Sequence, residues 1–207
     1  MKIIQKSEAF TGLEAAIVLI AFVVVAAVFS YVVLGAGFFT TQKAQQVVYS
    51  GVQQSSSNLV VLGEVYGNAI GTLTPAPGRI HAIIFTIGLA AGGSSVDLNK
   101  TVFTYQNKTI LKTLDFPAGT SSINPRCAAG AEPGDWQWCI LSSQNDDGDA
   151  SLEKNEQFTI QANLSLDTTG ALLPSDDFTL QIRPDVGAAI PIHKTAPGGI
   201  TNWNVLY

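Results

Sequence analysis

From Ala15 to Gln42 the chain carries no charge, and from Ala15 to Leu34 its one strongly polar side chain is Ser30. An uncharged run of that length excludes a strand, because strands average about 5 to 6 residues. No turn residue interrupts it before Gly35. Charge is scarce throughout: 13% of the 207 residues are charged, 11 basic against 16 acidic. That balance excludes nucleic acid as a partner, since binding it needs clustered Lys and Arg to displace phosphate counterions. Histidine occurs only as His81 and His193, and neither has a neighbour in sequence that would complete a catalytic triad or a metal site. Each follows or nearly follows an isoleucine in a strand-like run, which suits a sheet-surface or satisfied core histidine. No P-loop, Gly-rich dinucleotide motif or HExxH is present. These absences point away from an enzyme, and no cofactor is expected.

What is present starts with the uncharged run itself. About 20 apolar residues at 1.5 Å each match the roughly 30 Å hydrocarbon core of a bilayer, so residues 15–34 predict a membrane-type helix. A short polar leader precedes it, with Lys2, Lys6 and Ser7-Glu8-Ala9 ahead of Phe10, and Glu14 is the lone acid at its entrance. A signal peptide of the ordinary secretory kind should end its apolar region at a small-x-small site after about 7 to 15 residues. This apolar region runs on. Beyond it, Ala44, Val47, Val48, Gly51 and Val52 recur at helical spacing among glutamines and serines, giving one apolar stripe. A continuous helix over 10–57 would be about 70 Å long, more than a bilayer requires and better explained by a helix bundle.

From Asn58 the pattern changes to short apolar runs separated by Gly, Pro, Asn and Asp, which predicts strands and turns. Strands are expected near 59–66, 79–90, 101–105, 109–113, 137–142, 156–166, 177–184 and 188–193. Alternation is clearest at Phe158, Ile160, Ala162, Leu164 and Leu166, and again at Phe178, Leu180 and Ile182. The expected fold class is α+β: a long N-terminal hydrophobic helix, then an all-β sandwich of the immunoglobulin-like class. The division is a leader at 1–9, the helix at 10–57 and an outer β domain at 58–207.

The entrance to the helix resembles the class III leader of type IV pilins and archaeal flagellins (archaellins), which is cut just before the hydrophobic segment. A mature start at Phe10 places Gly12 third and Glu14 fifth, as in archaellins; Ala9 stands where the family most often has Gly. The likeness extends along the chain, through IGLAAGGSSVDLNKTVFTY at 87–105, NEQFTIQANL at 155–164 and FTLQIRPDVGAAIPIHKTAP at 178–197 to a hydrophobic terminus at 204–207. Bacterial pilins share the leader but combine a helical packing face with few strands, so the all-strand domain favours an archaellin. The resemblance implies a structural subunit that polymerises with copies of itself, or with other archaellins, through the helix. It further implies a prepilin-type peptidase acting between Ala9 and Phe10, residence in the membrane before assembly, an extracellular filament rotated for swimming, and an assembly role for Gly12 and Glu14. The alternatives are an adhesive pilus subunit and a membrane-anchored extracellular binding domain.

Three further features remain. Cys127 and Cys139 are an even pair following a segment that must leave the cytoplasm, most simply a disulfide, with two buried thiols as the alternative. Asn145-Asp146-Asp147-Gly148-Asp149 gathers oxygen donors around a glycine. Lys154 occupies the position at which an EF-hand needs Glu, so a solvated loop is weighed there against a cation site using Asp147 and Asp149. N-x-S/T triplets occur at Asn99, Asn107 and Asn163, the last expected on the polar face of its strand and accessible there. Archaellins are commonly N-glycosylated, which is what the resemblance adds to them.

Overall fold

The structure, a computed structural model, describes residues 5–56, 58–69, 78–116, 125–127, 132–165 and 170–207, with helix side chains from Gly12 to Ser55. One helix, α1, spans Gln5–Ser56 and is about 78 Å long at 1.5 Å per residue. It is already formed at Gln5, five residues ahead of Phe10, with neither Pro nor Gly between them to interrupt it. At its far end the Asn58 side-chain amide donates to the Ser55 carbonyl at 3.0 Å, satisfying an acceptor the last turn leaves open. The chain divides into two compact units, Met1–Gly51 and Val52–Tyr207.

The second unit is built of antiparallel sheets. Its strands are β1 (Leu59–Asn68), β2 (Ala82–Leu89), β3 (Val96–Asp97), β4 (Val102–Asn107), β5 (Leu111–Leu114), β6 (Trp138–Gln144), β7 (Ser151–Leu152), β8 (Gln157–Asn163), β9 (Asp177–Arg183), β10 (Ile190–Thr195) and β11 (Trp203–Leu206). A five-stranded sheet has the order β11-β1-β2-β8-β6, a four-stranded sheet β10-β9-β4-β5, and β3 pairs with β7 alone. The eight expected strands are all present. The three additional ones are β3 and β7, whose two residues are too few to show a period, and β11, which packs only because β1 lies beside it.

The two larger sheets face one another across an aromatic core. Phe103 of β4 lies 6.4 Å from Phe85 of β2 and 4.2 Å from Trp138 of β6, while Tyr105 stacks on Phe178 at 6.0 Å. The period-two residues Phe158, Ile160, Phe178, Leu180 and Ile182 are all buried in it. In β1 the pairing with β2 shifts between Leu62 and Tyr66, and Gly63 supplies the positive φ of 73° that this bulge requires. The bulge sends Val65 into the core and leaves Tyr66 facing out.

Cys127 and Cys139 form a disulfide. It fastens the segment Pro125–Cys127 beside β6, where Ile140 N–H donates to the Pro125 carbonyl at 2.7 Å and Cys127 N–H to the Ile140 carbonyl at 3.0 Å. Protein denatured without reductant should accept no thiol-alkylating label, and reduction should admit two per chain, as intact mass would count. Replacing both cysteines with serine should lower the stability of the β domain in denaturant titration by about 3 kcal/mol, the cost of freeing a loop of this length.

Candidate assembly surface

From Ala15 to Phe39 the surface of α1 is uncharged and, but for Ser30, apolar all round. Every side chain described from Gly12 to Ser55 is exposed in the single chain, including Phe22, Phe29, Phe38 and Phe39. It is one helix long and apolar enough to cross a membrane, by length and composition. Thr40 and Thr41 do not need water, because their hydroxyls donate to the carbonyls of Ala36 and Gly37 at 2.8 Å, one turn back. The polar boundary comes at Lys43, whose Nζ lies 6.0 Å over the Phe39 ring and 3.0 Å from Gln46 Oε1. Glu14 and Lys43 are the only charges between Gly12 and Ser55, and at 1.5 Å per residue they are about 43 Å apart. Glu14 therefore has no cationic partner on its own helix among the described side chains. A Cβ at Gly12 would meet nothing within 4 Å, although glycine inside a helix costs about 1 kcal/mol relative to alanine. Among the described residues nothing in the single chain offsets that cost. The side chains of Ala9 and Phe10, the expected cleavage pair, lie outside the described residues.

In the β domain the three sequons differ. Asn107 sits at the β4–β5 turn and is partly exposed; its side-chain oxygen accepts from Thr109 N–H, the Thr109 hydroxyl and Ile110 N–H at 2.8 to 3.0 Å. Asn99 is partly exposed on the short 3-10 turn Leu98–Lys100. Asn163 corrects the sequence expectation: it is only 5% exposed, its amide donates to the Pro133 carbonyl, and its oxygen accepts from Gln161 at 3.0 Å. It does lie on the outer face of its sheet. The segment carrying Pro133, Asp135 and Trp136 folds back over that face, with the Ser165 hydroxyl donating to Asp135 at 3.2 Å, and period alone could not reveal that cover.

The acidic loop, read from the sequence as a solvated loop weighed against a cation site using Asp147 and Asp149, gathers its donors from a wider stretch. Asp147 is grouped with Asp146 and Glu156, their ligand oxygens lying within 4.8 Å of one another. Glu156 is buried, and its carboxylate accepts Glu153 N–H at 2.7 Å; Asp149 caps Ser151 N–H at 2.7 Å. The loop already holds a cation. Arg126, brought there by the disulfide-fastened segment, pairs with Asp146 and reaches Ser143 Oγ at 2.9 Å. Burial acts to raise the Asp146 pKa, but bonds from Gly148 N–H, Arg126 and Ser143 outweigh it and hold the carboxyl below its ordinary value. Arg126 was not legible as a partner because it is 20 residues away.

His193 takes the sheet-surface place that the sequence suggested, whereas His81 is a core histidine whose Nε2 has no hydrogen-bond partner among the described residues. His193 is exposed, with Nδ1 at 3.0 Å from the Thr179 hydroxyl. His81 is buried, with Nε2 4.0 Å from a Glu132 oxygen; burial pushes its pKa below the ordinary value against the opposing pull of Glu132 and Asp135.

Comparison with known proteins agrees with this arrangement from end to end. The family model for archaeal-type flagellin matches residues 9–194. The chain is similar to probable flagellin 1 of Archaeoglobus fulgidus, 43% identical over 209 residues that cover 100% of this chain and 98% of that one. Among solved structures it is similar to the archaeal flagellum of Methanospirillum hungatei, at 31% identity and a TM-score of 0.69, covering 95% of this chain and 99% of that one. A flagellin of Methanocaldococcus jannaschii shares the fold at 19% identity and a TM-score of 0.54, over 72% of this chain and 95% of that one. Full-length identity to flagellins favours that reading over an adhesive pilus subunit or an anchored binding domain. The long apolar helix, the sandwich that follows it and the match across both place the chain in the archaeal-type flagellin family.

Proposed function

We propose that this chain is the structural subunit of an archaeal flagellum filament, which many copies build by packing their α1 helices together, with the β domains outside. The observation that carries this is the exposed, uncharged surface of α1 from Ala15 to Gln42. Fifteen Val, Leu, Ile and Phe side chains lie between Ile17 and Phe39. At about 1.5 to 3 kcal/mol each when fully buried, removing them from water is worth on the order of tens of kcal/mol as an upper bound. Transfer from a bilayer to a helix bundle changes that surface little, since both surroundings are apolar. Subunits inserted in the membrane can thus feed a growing extracellular filament that is rotated for swimming. The role is mechanical rather than catalytic.

Cleavage by a prepilin-type peptidase between Ala9 and Phe10 prepares the subunit. It leaves a free α-amino group one helical turn from Glu14, and that amine, from the same or a neighbouring copy, supplies the cation that α1 lacks. An ionised carboxylate in an apolar core is otherwise costly. Gly12, for which the single chain has no need, lets a neighbour approach closely at the same level.

Mass spectrometry of the N-terminal peptide from native fibres should find Phe10 first; Met1 or Lys2 there would refute the cleavage. Glu14→Gln should be exported and cut but remain mostly in the membrane fraction, with few fibres by electron microscopy. Fibres of normal length and number from that variant would leave only a helix-dipole role for the acid, about 0.3 to 1 kcal/mol. Glycopeptide analysis of native fibres should find glycan on Asn99 or Asn107 and none on Asn163.

A further inference from the structure

Among the described residues two buried polar side-chain atoms have no hydrogen-bond partner, His81 Nε2 and the Tyr105 hydroxyl. Buried polar groups are ordinarily bonded, so each asks for a physical reason. Both residues border one short strap, 132–136. His81 Nε2 is 4.0 Å from a Glu132 oxygen, and the Tyr105 ring is 5.9 Å from that of Trp136. Trp136 itself has a left-handed backbone, with φ at 59°. Bulky residues rarely adopt it, and strain of this kind gathers at clamps and switches.

The strap is held in two different ways. Its first part rests on the sheet through side chains, the Asn163 amide donating to the Pro133 carbonyl and the Ser165 hydroxyl to Asp135. From Trp136 onward backbone bonds hold it. Asp115 N–H donates to the Trp136 carbonyl at 2.9 Å, Trp138 N–H to the Asp115 carbonyl at 3.0 Å, and Asn163 N–H to the Gln137 carbonyl at 2.8 Å. The strained residue thus stands where the two kinds of attachment meet. His81 is fixed independently of the strap: its N–H donates to the Asn68 carbonyl at 3.1 Å, and its carbonyl accepts from Leu164 N–H at 2.6 Å.

We infer that 132–135 is an acid-released strap, which protonation of His81 lifts from the end of β8 by a turn at Trp136. What it uncovers is Asn163 and Ser165, both buried and both tied to it, so acid opens the third sequon. Protonation makes both ring nitrogens donors and adds a charge, and Nε2 has no acceptor within bonding distance among the described residues. The charged groups acting on the ring are Glu132 and Asp135, both on the strap. Asn68, Asn163 and Leu164, which flank it from β1 and the end of β8, do not titrate. The two acids attract a charged ring, but burial outweighs them and lowers the His81 pKa from 6.5 while the strap is closed. Once the strap lifts, the ring regains water and its ordinary value. Proton uptake therefore favours release: closure is complete above about pH 6.5 and is lost progressively as the pH falls below it.

The full chain in detergent micelles tests this by amide hydrogen exchange, read by mass spectrometry at about pH 7.5 and about pH 5.5, where the carboxylates stay ionised. Rates are corrected for the intrinsic effect of pH on exchange. The peptide covering 132–136 should exchange several-fold faster at the lower pH, up to about tenfold, the limit for one proton taken up over one pH unit. A peptide from β4 should not change. His81→Gln should abolish the increase. An equal increase in that variant, or none in the unsubstituted chain, overturns the inference. Glu132→Gln, at an exposed position, keeps the inference refutable should His81→Gln fail to fold. It removes an attraction that favours the closed, protonated form, so the increase should grow; an increase that is unchanged or smaller overturns the inference.

Discussion

The arrangement of this chain depends on a helix surface that water rejects on all sides. Globular domains are stable by about 5 to 15 kcal/mol, whereas the uncharged part of α1 would cost several times that amount if left in solution. Such a segment has two tolerable surroundings, hydrocarbon and other helices like itself. They resemble each other closely enough for a subunit to pass from one to the other. The few polar groups along the run are managed accordingly: Thr40 and Thr41 are satisfied by their own helix, and Lys43 marks where the apolar surroundings end.

The β domain meets the opposite requirement. Beyond the first nine residues every charged residue except Glu14 and Lys43 lies in it, and its two sheets close an aromatic core without help from any other copy. Its polar groups are largely satisfied locally, by Arg126 on Asp146, by Lys108 near Asp176 and Asp177, and by the Asn163 amide on Pro133. A domain that folds on its own core can stand in water whatever surrounds the helix.

How much of this could be read from residues follows their sequence range. The helix was legible because an uncharged run has one physical meaning at that length, and β8 and β9 because Phe158, Ile160, Phe178, Leu180 and Ile182 show their period directly. What escaped depended on contacts between distant segments. Asn163 sits at the position that alternation assigns to the outer face, and it is there; the loop through Pro133 and Asp135 covers it. The oxygens of Asp146, Asp147 and Glu156 lie together although Glu156 is nine residues along the chain from Asp147.

The disulfide-fastened segment bears on how such subunits can be crowded. β6 is an outermost strand of its sheet, and a bare outermost strand offers unpaired N–H and C=O groups to any other chain. Here the Pro125–Cys127 segment takes up both backbone groups of Ile140, and Cys127–Cys139 keeps it from peeling away. Copies stacked along a fibre meet one another's sheets at very high local concentration. A covalently sealed flank means that they can be brought that close without zipping together by the wrong surface, so growth stays with the helices.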